Sequence, residues 1–507
     1  MKSPSMSLIA GAAALAAVTA FAALTAPGGT ADAAPAKAAA RLPVERTSLV
    51  CPSPGLSPLS ETTYTSVVPA GGGDGPAGTA ELLKSTAADP DEGKKGDGKD
   101  KEKKKDDPGK PVLALKEPGK PVTAEAAGAS TPALVGTATG RLAPGWTAQQ
   151  TTVVEAGNGR GLLGVSCTAP DTSFWFPAAS TAKSREDYVH LTNPDDTAAV
   201  ADIELYGPEG SLKSDVGEGI TVPARSSVPV LISTLTSQAT DDVTVHVTTR
   251  TGRVGAVVRA ADETAGSDWL SASTNPTGTL VLPGIPKDAT SVRLVVFAPG
   301  DDDADLKVRL LGQTGAISPV GHESVHVKSR MTASVDLKDI TKGQPGSLLL
   351  VPVQSGKNTP VVAALRVVRG TGDKQEVGYI PATAPVGARA TVADNRDKGS
   401  VLSLTAPTAD ATVKVTASAG SKGGEQAVKK YTVKAGTTLE VDPPVPSGLK
   451  GAYALTVETE SGGPVHASRT LTLPQGGVRM FTVQTLPDDR GTVEVPAARQ
   501  DLSVLDD

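Results

Sequence analysis

The chain repeats itself, and the length of the repeat is what most constrains its fold. Residues 220–230 (ITVPARSSVPV), 325–335 (VHVKSRMTASV) and 431–441 (YTVKAGTTLEV) run in parallel. Val222, Val327 and Val433 correspond at offsets of 105 and 106, as do Val230, Val335 and Val441. Upstream, ADIELYGPEG from Ala201, ADLKVRLLGQTG from Ala304 and ATVKVTASAG from Ala411 reach Gly210, Gly315 and Gly420, again 105 apart. Downstream, GAVVRA, VAALRV and VHASRT align around Arg259, Arg366 and Arg469, each followed by a polar loop and a segment carrying Trp269, Tyr379 or Phe481. A unit of this length is too long for a solenoid repeat and suits an independent β-sandwich.

Within each unit, apolar residues alternate with charged or hydroxyl residues over four to eight positions, as in VRLVVFAP and LKVRLLG. Gly, Pro, Asn and Asp punctuate the pattern, which predicts antiparallel strands with one face buried. The expected fold class is all-β: about four tandem immunoglobulin-like sandwiches. The first is a diverged copy, in which residues 160–178 (RGLLGVSCTAPDTSFWFPA) match the end of a repeat read from Arg253. On that alignment Trp175 and Trp269 hold equivalent positions, and Cys167 falls in a strand where other copies carry arginine. The expected boundaries are a signal peptide at 1–33, a first β-domain at 45–176, repeats at 177–281, 282–380 and 381–490, and a tail at 491–507. Residues 84–127 read as a disordered insert of the first domain. Their centre, DEGKKGDGKDKEKKKDDPGK, has no large apolar residue with which to offset chain entropy. Acids interleave its lysines, so a self-neutralising tether is preferred over a wall- or phosphate-binding patch.

Lys2, the apolar run LIAGAAALAAVTAFAALTA and the Ala31-Asp32-Ala33 site form an export signal, with the mature chain starting near Ala34. The rival reading is an uncleaved N-terminal membrane anchor. The location expected is extracellular or cell-surface. There, the even pair Cys51 and Cys167 predicts one disulfide, two free buried thiols being the alternative. A net charge of −6 leaves no basic face for nucleic acid.

Residues 322–326 spell H-E-x-x-H, the pattern of zinc metalloproteases, in which both histidines share a helical face. The sister copies read as a loop leading into a strand here. On a strand, i and i+4 lie roughly 13 Å apart, too far to share one zinc. Asp301, Asp303 and Asp305 lack the Gly and terminal Glu of an EF-type calcium loop and align with a variable turn, a weak structural calcium site being the alternative. His190 and His246 sit in alternating strand contexts. Arg259, Arg366 and Arg469 read as equivalent structural pairs. Three Trp, six Tyr and five Phe over four domains are few for a sugar-stacking surface. The sequence therefore assigns no catalytic, cofactor-binding or metal residue and no cofactor; the chain is not expected to be an enzyme.

The phrases SLVCPSPG, SFWFPA at Ser173 and HLTNPDDTAAVADIELYGPEG from His190 resemble, in combination, an uncharacterised family of exported proteins from high-GC Gram-positive bacteria, filed under a domain of unknown function. The resemblance covers essentially the whole mature chain. It implies an exported all-β protein without established activity, and brings no functional residues. The expected role is a non-catalytic scaffold or spacer whose partner is an unknown envelope protein or polysaccharide. The alternatives are a module binding an extracellular glycan or envelope polymer, and, behind it, a hydrolase of unrecognised type.

Overall fold

The computed structural model describes residues 40–496, apart from 56, 72–74, 88–108, 158 and 215. The expected signal peptide and most of the C-terminal tail lie outside the described residues. Residues 43–492 form one compact unit. A separate two-stranded ribbon pairs Ala40–Pro43 with Thr492–Val495.

The fold is all-β; the only helical pieces among the described residues are three short 3-10 turns. None of these residues forms a helix long and apolar enough to cross a membrane. Eight principal sheets pair into four sandwiches around four apolar cores. In each, the opening strand is an edge of one sheet: Arg46–Cys51, Ser173–Ala179, Leu280–Ile285 and Ala390–Asn395. The closing strand is an edge of the other: Gly161–Ser166, Gly266–Leu270, Glu376–Pro381 and Val478–Thr485. Each closing strand pairs with a penultimate strand, respectively Thr147–Val154, Gly255–Asp262, Val362–Arg369 and His466–Gln475. Pairing between these strands is antiparallel throughout.

Outer strands follow the simple alternation. In Ala304–Leu311 the residues Ala304, Leu306, Val308 and Leu310 are buried while Asp305, Lys307 and Arg309 face water. Strands between sandwiches do not alternate. Every residue of Gly266–Leu270, Leu280–Ile285 and Glu376–Pro381 is buried, because a neighbouring sandwich covers the second face. The second core accordingly runs on into Ala364, Val368 and Tyr379 of the third sandwich, and the third takes in Phe481 and Val483 of the fourth. Each fully buried aliphatic or aromatic side chain contributes about 1.5–3 kcal/mol, so these contacts bind sandwich to sandwich as a core binds sheet to sheet.

The contacts close into a ring. The closing strand of the first sandwich packs against those of the second and the fourth, and that of the third against the same two. The four copied edges thus meet at one central junction. Gly164 makes room there: a Cβ on it would stand 2.3 Å from the Gln484 amide nitrogen and 2.6 Å from the Thr482 methyl. The backbone N–H of Gly164 and the Thr482 hydroxyl both donate to Asp268 Oδ1, at 3.0 Å each, joining first, second and fourth sandwiches. Arg160 of the first reaches the third, with Nη2 3.2 Å from Glu376 Oε1 and 2.5 Å from the Gln375 carbonyl.

Three expectations need correction. The alignment of residues 160–178 with the end of a repeat is one strand out. Gly161–Ser166 is itself the closing strand of the first sandwich, and Ser173–Ala179 opens the second, with Phe174 and Phe176 in the second core. Trp175 and Trp269 are therefore not equivalent: one sits on an opening strand and the other on a closing strand. The insert is also shorter than 84–127. Leu113–Ala114 and Val122–Ala127 are strands of the first sandwich, held by burial of Leu113 and Leu115. Thr86–Ala87 pairs in parallel with Ser226 and Ser227 of the second sandwich. Residues 88–108, the charged centre of the insert, lie outside the described residues.

Cys51 and Cys167 form a disulfide across 116 residues. It ties the end of the first sandwich's opening strand to the residue just past its closing strand.

Candidate functional site

The three repeated arginines occupy equivalent registers. Arg259 lies opposite Trp269, Arg366 opposite Tyr379, and Arg469 opposite Gln484, each on a penultimate strand beside its closing strand. Their surroundings differ. Arg366 Nη2 lies 2.6 Å from Asp262 Oδ2 of the neighbouring second sandwich. Burial alone would raise the Asp262 carboxyl, yet N–H donors from Ala265 and Thr264 and the Arg366 charge hold it below its ordinary value. Arg469 is completely enclosed and donates to the Ala393 carbonyl at 3.3 Å. Burial pushes its pKa down to about 10.

Arg259 is half-buried and, among the described residues, makes no hydrogen bond or ion pair. Its Nε is buried and unpartnered. The guanidinium lies over the Tyr188 ring, 5.0 Å from the centroid, because Tyr188 stands directly opposite on the adjacent strand. Strand alternation sends Val189 and Leu191 into the second core and leaves Tyr188 and His190 on the other face. His190 is buried, edge-on to Trp269 at 5.2 Å, with both ring nitrogens unpartnered. Burial first, and then the Arg259 charge, lowers its pKa to about 3, so the ring is neutral.

These side chains line a cleft of about 250 Å³ between the first and second sandwiches. Its other walls come from Ser53 and Gly55 of the loop after Cys51, from Ser85 and Thr86, from residues 129–133, and from Ser227 and Pro229. Gly55 takes φ +147 and passes so close that a Cβ there would stand 3.3 Å from Arg259 Nη1. On the far side of Arg259 and Gly55 opens a second hollow of about 360 Å³, with Glu186 on its rim.

The other singled-out residues do not converge on a reactive centre. His326 holds an exposed position on the edge strand Ser324–Val327, whose Val325 and Val327 are buried, and His322 lies in the preceding turn. His326 Nδ1 is 2.8 Å from Asp305 Oδ1, and its Nε2 is 3.6 Å from Asp303 Oδ2. Asp303 also accepts from the Ser329 N–H at 2.8 Å. Two of the three aspartates thus hold the edge strand in place. Among the described residues no group of three or more His, Cys, Asp or Glu side chains is placed to hold a metal ion. His246 stacks on Trp175 at 3.5 Å and meets Glu204 at 3.1 Å. Sequence reasoning missed the cleft because it treated the three arginines as equal. The available signal was the partner: Asp262 forms an ion pair with Arg366, and among the described residues no carboxylate forms one with Arg259.

No curated protein matches this chain. Among solved structures, a crystal structure described as a tetra-tandem repeat in the extending region of a large adhesion protein aligns at 13% identity. The alignment covers 87% of this chain and 95% of that one, with a TM-score of 0.11, and carries no argument about this chain. The model of a family of unknown function, DUF5719, matches residues 122–444, from the first sandwich into the fourth. That match spans well over half of the sequence, and the chain belongs to this family of unknown function, DUF5719.

Proposed function

We propose that the protein is a non-catalytic scaffold of the cell envelope or extracellular space, exported by its N-terminal segment. The observation that carries this reading is the central junction. Four sandwiches closed on one another hold their outward faces in fixed mutual positions, which suits a platform for other molecules better than a spacer. The disulfide supports an oxidising compartment, since such bonds persist outside the reducing cytosol. The test is to express the tagged full chain in its own cells. Envelope and medium fractions should hold it with Cys51 and Cys167 oxidised, and should yield a stoichiometric envelope partner. Gly164→Val, which opens the junction, should lose that partner. A cytoplasmic chain with free thiols sinks the export reading, and partner retention by the opened variant sinks the scaffold reading.

A second reading, binding of an extracellular glycan or envelope polymer, is favoured by the cleft at Arg259. The equivalent arginines of the third and fourth sandwiches are paired or enclosed instead.

A further inference from the structure

We propose that the cleft around Arg259 binds an oxyanion carried on a hydroxylated ring, an acidic sugar unit. This rests on the glycan reading and is independent of the scaffold reading.

The first observation is the unpaired guanidinium. Other partly or wholly buried arginines have a polar partner: Arg185 has Asp187 at 2.8 Å, Arg369 has Asp288 at 2.5 Å, and Arg389 has Asp489 at 2.6 Å. Arg259 is half-buried, and the opposing charges that act on it, Glu186 and the Arg185-paired Asp187, lie beyond ion-pair distance, so the cost of desolvating its charge is only partly offset and an anionic ligand would offset it further. Among the described residues no carboxylate lines the 250 Å³ cleft; Glu186 lines the other hollow. The planar fork of arginine matches carboxylate and phosphate oxygens two at a time.

The second observation concerns the hydroxyls. The Ser53 hydroxyl donates to the Thr131 carbonyl at 2.9 Å, the Thr86 hydroxyl to the Arg225 carbonyl at 3.1 Å, and Ser227 shares its hydrogen bond with Thr192 at 3.0 Å. A hydroxyl has one proton and two lone pairs. With their protons committed internally, Ser53 and Thr86 offer acceptors to the cleft, which suit a ligand bearing several O–H donors. Neutral His190 lies beneath, its one donor and one acceptor unpartnered and enclosed. The space equals about eight waters at roughly 30 Å³ each, enough for one ring-sized solute.

The test is calorimetric titration of the full chain, oxidised at Cys51 and Cys167, with glucuronate, glucose 6-phosphate, glucose and inorganic phosphate. Arg259→Met and Arg259→Lys are run alongside, with urea unfolding to confirm that they fold. The inference expects glucuronate or glucose 6-phosphate to bind at least tenfold more tightly than glucose or phosphate. Preference for glucuronate identifies a carboxylate source, and preference for glucose 6-phosphate a phosphate source. Arg259→Met should lose at least tenfold in affinity while remaining folded, and Arg259→Lys should fall between. Equal binding of glucose, unchanged by Arg259→Met, overturns the anionic ligand and leaves the glycan reading. Binding of phosphate as tight as of the sugars overturns the hydroxylated ring. No binding of any probe overturns the inference.

Discussion

Replacing Arg259 and Arg366 by methionine, one at a time, asks whether two arginines at the same register do the same work. Methionine keeps most of the apolar stem in both places, so the comparison isolates the guanidinium. At Arg366 the substitution removes a 2.6 Å ion pair with Asp262, whose side chain is only 13% exposed against 19% for the arginine. Losing one partner of such a pair strands the other charge, and about 1–3 kcal/mol of stability should go with it. At Arg259 no hydrogen bond is lost, because none is made. Nε is buried and unpartnered in Arg259 and Arg366 alike, so removing that donor regains about 1–3 kcal/mol at either position. Loss of the contact with Tyr188 takes back about 0.5–1 kcal/mol. The net expectation is a gain of about 1 kcal/mol at Arg259 against little net change at Arg366. Thermal melting is a poor readout: at about 2.1 cal/mol/K per residue, a cooperative body spanning residues 43–492 shifts by only about 1 °C per kcal/mol. Urea titration of oxidised protein resolves the difference through its midpoint at constant slope. Arg259→Met should raise the midpoint, and Arg366→Met should leave it at or below that of the wild type. Equal destabilisation by both would refute the reasoning and return Arg259 to a structural role.

Further outcomes follow from the junction and the disulfide. Glu376, with its side chain 1% exposed, is pushed up to about 7, by burial against the opposing charges of Arg160 and Arg369. Its folded-state pKa lies above the unfolded value, so the folded protein holds the proton more tightly and stability falls as pH rises through roughly 4.5 to 7. The difference in unfolding free energy between wild type and Glu376→Gln should therefore fall by about 3 kcal/mol across that window in urea titrations; a flat difference contradicts the burial. His190 and His466 are lowered by burial to about 3 and about 4, so they act with the opposite sign. Their contribution is lost as pH falls below about 6.5, and His466→Gln should flatten the acid limb of the urea-midpoint profile. Gly164→Ala, whose Cβ would meet the Gln484 amide at 2.3 Å, should cost about 1–3 kcal/mol by urea titration and raise hydrogen exchange in all four closing strands rather than one. The Cys51→Ser, Cys167→Ser double variant should lose about 4–5 kcal/mol, the chain-entropy value for a loop of this length, measured against oxidised wild type.

Much of the fold was legible because the sandwiches use a local code. ADLKVRLL alternates in sequence and alternates in burial. The first copy was misread by one strand for a physical reason. Its closing strand, GLLGVS, carries Gly164 where close approach to the fourth sandwich excludes a side chain, so it lacks the aromatic that marks the other closing strands. The strands of 113–127 escaped notice because Leu113–Ala114 is short and Val122–Ala127 lies beside a charged run. The junction itself was not legible. GSDWL and EVGYIP announce themselves as strands, but which edges meet is decided between sandwiches more than a hundred residues apart. The same holds for the cleft. Arg259 and Arg366 look alike in sequence, and only the neighbour's Asp262 tells them apart.

The closing of the ring is tested most directly between Glu155 and Gln475, which hydrogen-bond across the first and fourth sandwiches although 320 residues separate them. Cysteines placed at both positions in the full chain, with the native disulfide intact, can be treated with a short bis-maleimide at low protein concentration. Peptide mapping should then find residues 155 and 475 joined within a single chain, rapidly and nearly completely, and Gly164→Val should slow the reaction. Links formed only between separate chains, or none at all, would mean that the four sandwiches do not close on one another.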